Sequence, residues 1–100
     1  MIGACYIDTM IRSFKCKETK ALFEDGKTRR WQSIRKVAVR KLDMLDAAKV
    51  LSDLRSPPGN QLEALRDDRL GQHSIRINDQ WRVCFRWAEE PEDVEIVDYH

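Results

Sequence analysis

The stretch that decides the fold is residues 71–100, GQHSIRINDQWRVCFRWAEEPEDVEIVDYH. Apolar and polar residues alternate over residues 73–77, and the alternation resumes over residues 81–87. Asn78 and Asp79 lie between the two runs, and both residue types tolerate the positive φ angles of tight hairpin turns. A period of two residues therefore predicts antiparallel strands with one apolar face and one basic face.

A second turn and a third strand close this stretch. Residues 89–93, with Pro91 among them, predict the turn, and residues 94–99 predict the strand. The strand runs into Asp98, Tyr99 and His100, whose side chains can form hydrogen bonds or transfer protons. Residues 62–65 form a further short strand ahead of the stretch, so we predict a four-strand meander.

The first half of the chain predicts an extended segment and two helices. We expect a short strand over residues 11–14 and a helix over residues 16–25 that ends at Gly26. Apolar residues at helical spacing predict a second helix over residues 32–45, and Asp46 is expected to cap a further turn or two.

This order of elements predicts an α+β fold in one domain of 100 residues. Two helices would pack on one face of a twisted, mostly antiparallel sheet. We expect the apolar side of the central strand to line the core and Trp31 to anchor the start of the second helix. His73 alternates with apolar residues and is expected to be structural.

Charge and cysteine content limit the classes of protein. The net charge is only +1, but residues 27–41 contain seven basic residues and no acidic ones, whereas residues 89–98 are acidic. A chain with this charge distribution can bind RNA on one face, and the alternative is that the basic residues form a solvated helix surface. The three cysteines lack CxxC spacing, and no apolar run could span a membrane. We therefore expect a cytoplasmic protein with reduced thiols.

Several motifs together resemble the HigB-type toxins of the RelE superfamily. They are SIRINDQWRVCFRW and VEIVDYH in the meander, MIRSF at residues 10–14 and SPPGNQLEAL at residues 56–65. The resemblance implies a RelE-like toxin domain over residues 10–100. Residues 1–9 would then be an N-terminal extension, with Met10 a candidate for the true start.

The resemblance also implies a function and a set of partners. The chain would be the toxin of a type II toxin-antitoxin system, a ribosome-dependent mRNA endonuclease that needs neither metal nor cofactor. Its partners would be the ribosome, mRNA and a helix-turn-helix antitoxin of the HigA type. Operator DNA would be contacted only through the antitoxin, and no membrane would be involved.

Cleavage of RNA by its own 2′-hydroxyl needs a base, an acid for the leaving oxygen, and positive charge for the transition state. Arg82 lies in mid-strand on the polar face, so we expect an exposed guanidinium that can be removed without loss of the fold. From the residues alone it could bind phosphate or simply be solvated, and the resemblance favours phosphate binding. By resemblance, the catalytic residues are Arg66, Arg82, Asp98, Tyr99 and His100. The expected RNA-binding residues are Glu63, Arg69, Arg76 and Arg86.

One departure from the family pattern leaves alternatives open. Glu63 and Arg66 stand where several family members have a histidine and a lysine. Three roles stay open for Glu63: a base, an ion-pair partner of Arg66, or a structural residue. The chain could accordingly be a catalytically weak or inactive module that binds the antitoxin and co-regulates. A ribosome-independent RNA-binding protein is disfavoured by the near-zero net charge.

Overall fold

The structure is a computed structural model that describes residues 11–98. The predicted N-terminal extension over residues 1–9 lies outside this range, and so do the predicted site residues Tyr99 and His100. These three assignments therefore stay predictions.

The four predicted strands form one antiparallel sheet in which each strand pairs with the next along the chain. The strands are β1 (Glu63–Ala64), β2 (Gln72–Arg76), β3 (Trp81–Trp87) and β4 (Pro91–Asp98). The predicted turn over residues 89–93 is too long, because β4 already begins at Pro91. Asp93 adopts a positive φ of 51° where the register between β3 and β4 shifts, and this bulge lets the strand continue on both sides.

Two helices precede the sheet, as predicted. Helix α1 (Lys17–Asp25) ends at Gly26, which adopts a φ of 68° and donates its N–H to the Leu22 carbonyl at 2.9 Å. The second predicted helix begins as a 3-10 turn, Gln32–Ile34, and continues as α2 (Arg35–Ala47), two residues beyond the predicted end. Between residues 11 and 98, no helix is both long and apolar enough to cross a bilayer.

The segment before α1 differs from its prediction. Instead of a strand over residues 11–14, the structure has a single parallel bridge between Phe14 and Val94. The amide of Lys15 donates to the Val94 carbonyl at 3.0 Å, so this segment covers the outer edge of β4. Asp46 does not cap a further turn, because it lies inside α2 and the next turn, Leu51–Arg55, begins after Val50. Its carboxylate accepts the Ile11 amide at 3.0 Å and so ties this segment to α2.

The helices pack on the apolar face of the sheet and leave the other face uncovered by helix. Trp31 is 1% exposed and packs edge-on against Trp81 at a centroid distance of 6.1 Å, which confirms its predicted anchoring role. The largest buried side chains of the core come from both helices, from the 3-10 turn Leu51–Arg55 and from the inner face of the sheet, namely Leu22, Leu42, Leu45, Leu54, Ile75, Val83, Phe85 and Val94. We call the opposite face of the sheet the open face.

Candidate functional site

The register of the sheet decides which side chains share the open face. Directly paired residues of antiparallel strands point to the same side, so the pairing can be followed across the strands. Each row of paired residues runs across the strands. On the open face the first row is Glu63, Ser74, Cys84 and Glu95, the second is Arg76, Arg82 and Val97, and the third is Gln72, Arg86 and Glu92. Four predicted site residues, one acid and three arginines, are therefore brought together.

Arg82 occupies the middle of this face, and the expectation that it is exposed is wrong. It is only 6% exposed, because the loop that leads into β1 folds against its guanidinium. Its Nε donates to the Ser74 hydroxyl at 2.8 Å, and its Nη2 donates to the Gln61 carbonyl. The Glu63 carboxylate lies 4.0 Å from the same nitrogen, so contacts from β1, β2 and the loop before β1 hold the positive charge in one place.

Arg69 reaches the open face from outside the sheet. It ends a 3-10 turn, Asp67–Arg69, and its Nη1 donates to Glu95 in β4 and to Gln72, each at 3.2 Å. Lys15 approaches the same Glu95 carboxylate at 3.7 Å. Beneath this bridge Cys84 is fully buried, and burial raises the pKa of its thiol to about 11.

Sequence reasoning missed Glu95, which holds two cations on this face. The available signal was its alternation with Val94 and Ile96, which places it on the polar side of β4. Its pairing with Arg69 depends on the register of four strands and could not be found from spacing alone.

Arg76 and Arg86 lie at opposite ends of β2 and β3. Arg76 pairs with Asp79, which belongs to the hairpin turn that follows it. The Nε of Arg86 lies 3.7 Å from Asp93, the residue of the β4 bulge. Gly71 adopts a φ of 91° beside Arg86, and a Cβ built there would meet the guanidinium at 2.9 Å. The close approach of the turn therefore helps to hold Arg86 in position.

Arg66 and Glu63 border a depression of about 440 Å³ at the β1 edge of the open face. Arg66 is exposed and forms no ion pair with any residue between 11 and 98. Glu63 therefore pairs with Arg82 and not with Arg66, which removes one of the three roles left open for it.

Asp98 ends β4 on the other side of the sheet. It pairs with Trp81, so it lies on the helix face, whereas its neighbour Val97 pairs with Arg82 on the open face. The Gln80 amide donates to its carboxylate at 3.0 Å. Asp98 is therefore not on the open face, although it directly follows Val97, which lies in the same row as Arg82.

Sequence reasoning also missed a buried hydrogen-bonded pair, which holds the loop that contacts Arg82. The ammonium of Lys41 donates to the side chain of Asn60, and Asn60 in turn donates to the Leu54 carbonyl at 3.2 Å. Burial, followed by repulsion from neighbouring arginines, lowers the pKa of Lys41. This pair fixes the loop whose next residue, Gln61, accepts the hydrogen bond from Arg82.

His73 lies on the helix face, paired with Phe85, and its ring is tilted against the Phe85 ring at 6.0 Å. It is half-buried, and this burial lowers the pKa of its imidazole. It is thus separated from the arginines of the open face.

An antiparallel four-strand sheet with two helices packed on one face is consistent with the fold of a RelE-like toxin. Residues 12–100 match the family described as RelE-like toxin of type II toxin-antitoxin system HigB, and the chain belongs to this family. The chain is 44% identical over 82 residues to Toxin HigB-1 of Vibrio cholerae serotype O1, which covers 80% of this chain and 86% of that protein. It is 40% identical over 65 residues to an uncharacterized protein of Haemophilus influenzae, with 65% and 64% of the two chains covered.

Membership in this family defines the protein's general role. It is the toxin of a type II toxin-antitoxin system, and the system implies an antitoxin as its partner. Toxins of this family generally act as ribonucleases.

Proposed function

We propose that this toxin is a ribosome-dependent endoribonuclease that cleaves mRNA and thereby stops translation. The observation that carries the proposal is the guanidinium of Arg82, held between the Ser74 hydroxyl and the Gln61 carbonyl. A positive charge that is already fixed in place stabilises a phosphorane-like transition state without further reorganisation. The products would be a 2′,3′-cyclic phosphate and a 5′-hydroxyl, because the 2′-hydroxyl of the RNA is the nucleophile.

The other site residues take roles that follow from their chemistry and position. Arg66, exposed beside Glu63, adds positive charge at the scissile phosphate. The half-exposed arginines of the open face, Arg69, Arg76 and Arg86, bind flanking phosphates, for which the planar guanidinium fork is suited. Glu63 stays close enough to Arg82 to orient it or to accept a proton.

Proton transfer is assigned to the C-terminal residues. Asp98 ends β4 beside the row that contains Arg82, and Tyr99 and His100 follow it in the sequence. An imidazole exchanges protons near neutral pH, which suits His100 to act as the acid for the leaving oxygen. Asp98 would orient one of these neighbours, and Tyr99 would transfer a proton or stack on a base.

The ribosome supplies what a protein of this size cannot impose alone, a substrate strand held in a reactive geometry. The protein would therefore act in the cytoplasm, on mRNA in the decoding site. Its antitoxin would be a helix-turn-helix protein of the HigA type that blocks this site or the ribosome-binding surface. The complex would contact operator DNA through the antitoxin and repress its own operon.

The test compares cleavage of one mRNA, free and on programmed ribosomes, by the wild-type protein and by a variant that lacks His100. We expect cleavage only on ribosomes, with cyclic phosphate ends, and a loss of at least about a hundredfold on deletion of the general acid. Equal cleavage of free mRNA would refute the dependence on ribosomes. Full activity without His100 would remove this residue from the site.

A second candidate function is a catalytically weak or inactive module that binds the antitoxin and co-regulates the operon. The observation that favours it is the pairing of the open-face arginines with carboxylates, which leaves little uncompensated charge for RNA. Expression of the toxin without its antitoxin distinguishes the two functions. Continued growth and protein synthesis, together with retained binding of the antitoxin, would support the inactive module.

A further inference from the structure

The arginines of the open face share a feature that RNA binding alone does not require. Each of them approaches a carboxylate within 4.0 Å, and the acids come from different parts of the sheet: β1, the β2–β3 turn, the β4 bulge and the middle of β4. The pairs are Arg69–Glu95, Arg76–Asp79, Arg82–Glu63 and Arg86–Asp93. The cationic face is therefore neutralised by the chain itself.

Two of these acids, Asp79 and Asp93, contribute little to folding. Half or more of the side chain of Asp93 and all of that of Asp79 are exposed, and exposed ion pairs stabilise proteins only weakly. Glu95 is the most covered of the four, with 16% of its side chain exposed, and it faces both Arg69 and Lys15. An incoming phosphate therefore competes with a carboxylate at each of these arginines.

We propose that Glu63, Asp79, Asp93 and Glu95 determine substrate specificity by occupying the phosphate-binding arginines of the free toxin. Free RNA has to displace several carboxylates at once and is bound weakly. RNA held by the ribosome is presented at a high effective concentration, so the exchange of carboxylate for phosphate becomes favourable. This inference rests on the proposed function, because it takes the open face as the surface that meets RNA.

A double variant, Glu95→Gln with Asp93→Asn, removes two negative charges and keeps side chains of nearly the same size and shape. Glu95→Gln keeps an oxygen acceptor for Arg69, and Asp93→Asn suits the positive φ of 51° at that position. A matched control removes two acids from α1, with Glu18→Gln and Glu24→Gln. Glu18 forms a pair with Arg30 at 3.1 Å, much like that of Glu95 with Arg69, but on the helix side of the molecule.

The experiment measures binding of a short single-stranded RNA by fluorescence anisotropy over a series of salt concentrations. For single strands, each phosphate contact adds ~0.7 to the slope of log K against log salt, which is about fivefold in affinity between 1 M and 0.1 M salt. Releasing two arginines should therefore tighten binding about 25-fold at 0.1 M salt, steepen the slope by ~1.4, and change little near 1 M. The α1 control should bind as the wild type does.

Two outcomes would overturn the proposal. One is unchanged RNA affinity in the open-face variant, with a melting curve that shows an intact fold. The other is an equal gain in the α1 control, since net charge and not the position of the acids would then explain it.

Cleavage by the wild type on programmed ribosomes is measured in parallel. If the wild type cleaves but the open-face variant binds free RNA no better, the inference fails and the proposed function stands. If the wild type does not cleave but the variant gains affinity, the proposed function fails alone.

Discussion

Replacement of Arg82 by alanine should destabilise the fold as well as reduce cleavage. The guanidinium is buried and donates to the Ser74 hydroxyl at 2.8 Å and to the Gln61 carbonyl. Hydrogen bonds from a charged group contribute roughly 1.5–3 kcal/mol each, so the loss of two should cost about 3–6 kcal/mol. A domain of this size melts ~4–8 °C lower for each kcal/mol lost, which predicts a decrease in Tm of at least about 12 °C.

The matched control is Arg86→Ala. The Arg86 side chain is 45% exposed and its pair with Asp93 spans 3.7 Å, so its removal should cost less than ~1 kcal/mol. Both variants are compared by thermal and urea denaturation, and cleavage by Arg82→Ala is measured well below its own Tm. A melting temperature for Arg82→Ala equal to that of Arg86→Ala would refute the structural role of Arg82.

Three further predictions concern the surroundings of the open face. Gly71→Ala should cost about 1–2 kcal/mol in thermal unfolding, because the positive φ of 91° and the contact with Arg86 both oppose a Cβ, whereas Gly59→Ala, in open space, should be nearly neutral. Burial lowers the pKa of His73 from 6.5, so the unfolded chain binds more protons below that pH and stability falls with acidification. His73→Gln should therefore lose less unfolding free energy between about pH 7 and pH 5 than the wild type does. With a pKa near 11 and full burial, the Cys84 thiol should resist iodoacetamide in the folded protein and react in urea, as mass spectrometry can check.

The strands of the meander were predictable because mostly apolar side chains line the helix face of the sheet and mostly polar ones line the open face. In such a sheet, the alternation of apolar and polar residues indicates both where each strand lies and on which face each side chain lies. The start of β4 was not predictable, since Pro91 usually signals a turn and only the bulge at Asp93 restores the pairing with β3. The strand predicted over residues 11–14 is a single parallel bridge at Phe14. The apolar pattern favoured a strand, but the segment forms too few pairs with a neighbouring strand to be one.

For the site, parity identified the face of each residue but not what covers it. Arg82 was correctly placed on the polar side of β3, but its burial depends on a loop carbonyl and on an acid from β1. Asp98 was predicted as a site residue, but it has the same strand parity as Val94 and Ile96 and pairs with Trp81, so it lies on the helix side.

The hydrogen bonds between the first and last segments of the fold determine when the toxin can complete its folding during synthesis. The amide of Asp93 donates to the Ser13 hydroxyl at 2.9 Å, and the amide of Val94 donates to the Ser13 carbonyl at 3.1 Å. The residues joined by the first of these bonds are 80 positions apart. At elongation rates of ~5–20 residues per second, Ser13 waits roughly 4–16 seconds for these partners to be made. Because β4 carries both Glu95 and Asp93, the ion pairs of Arg69 and Arg86 cannot form on a nascent chain before β4 has left the exit tunnel.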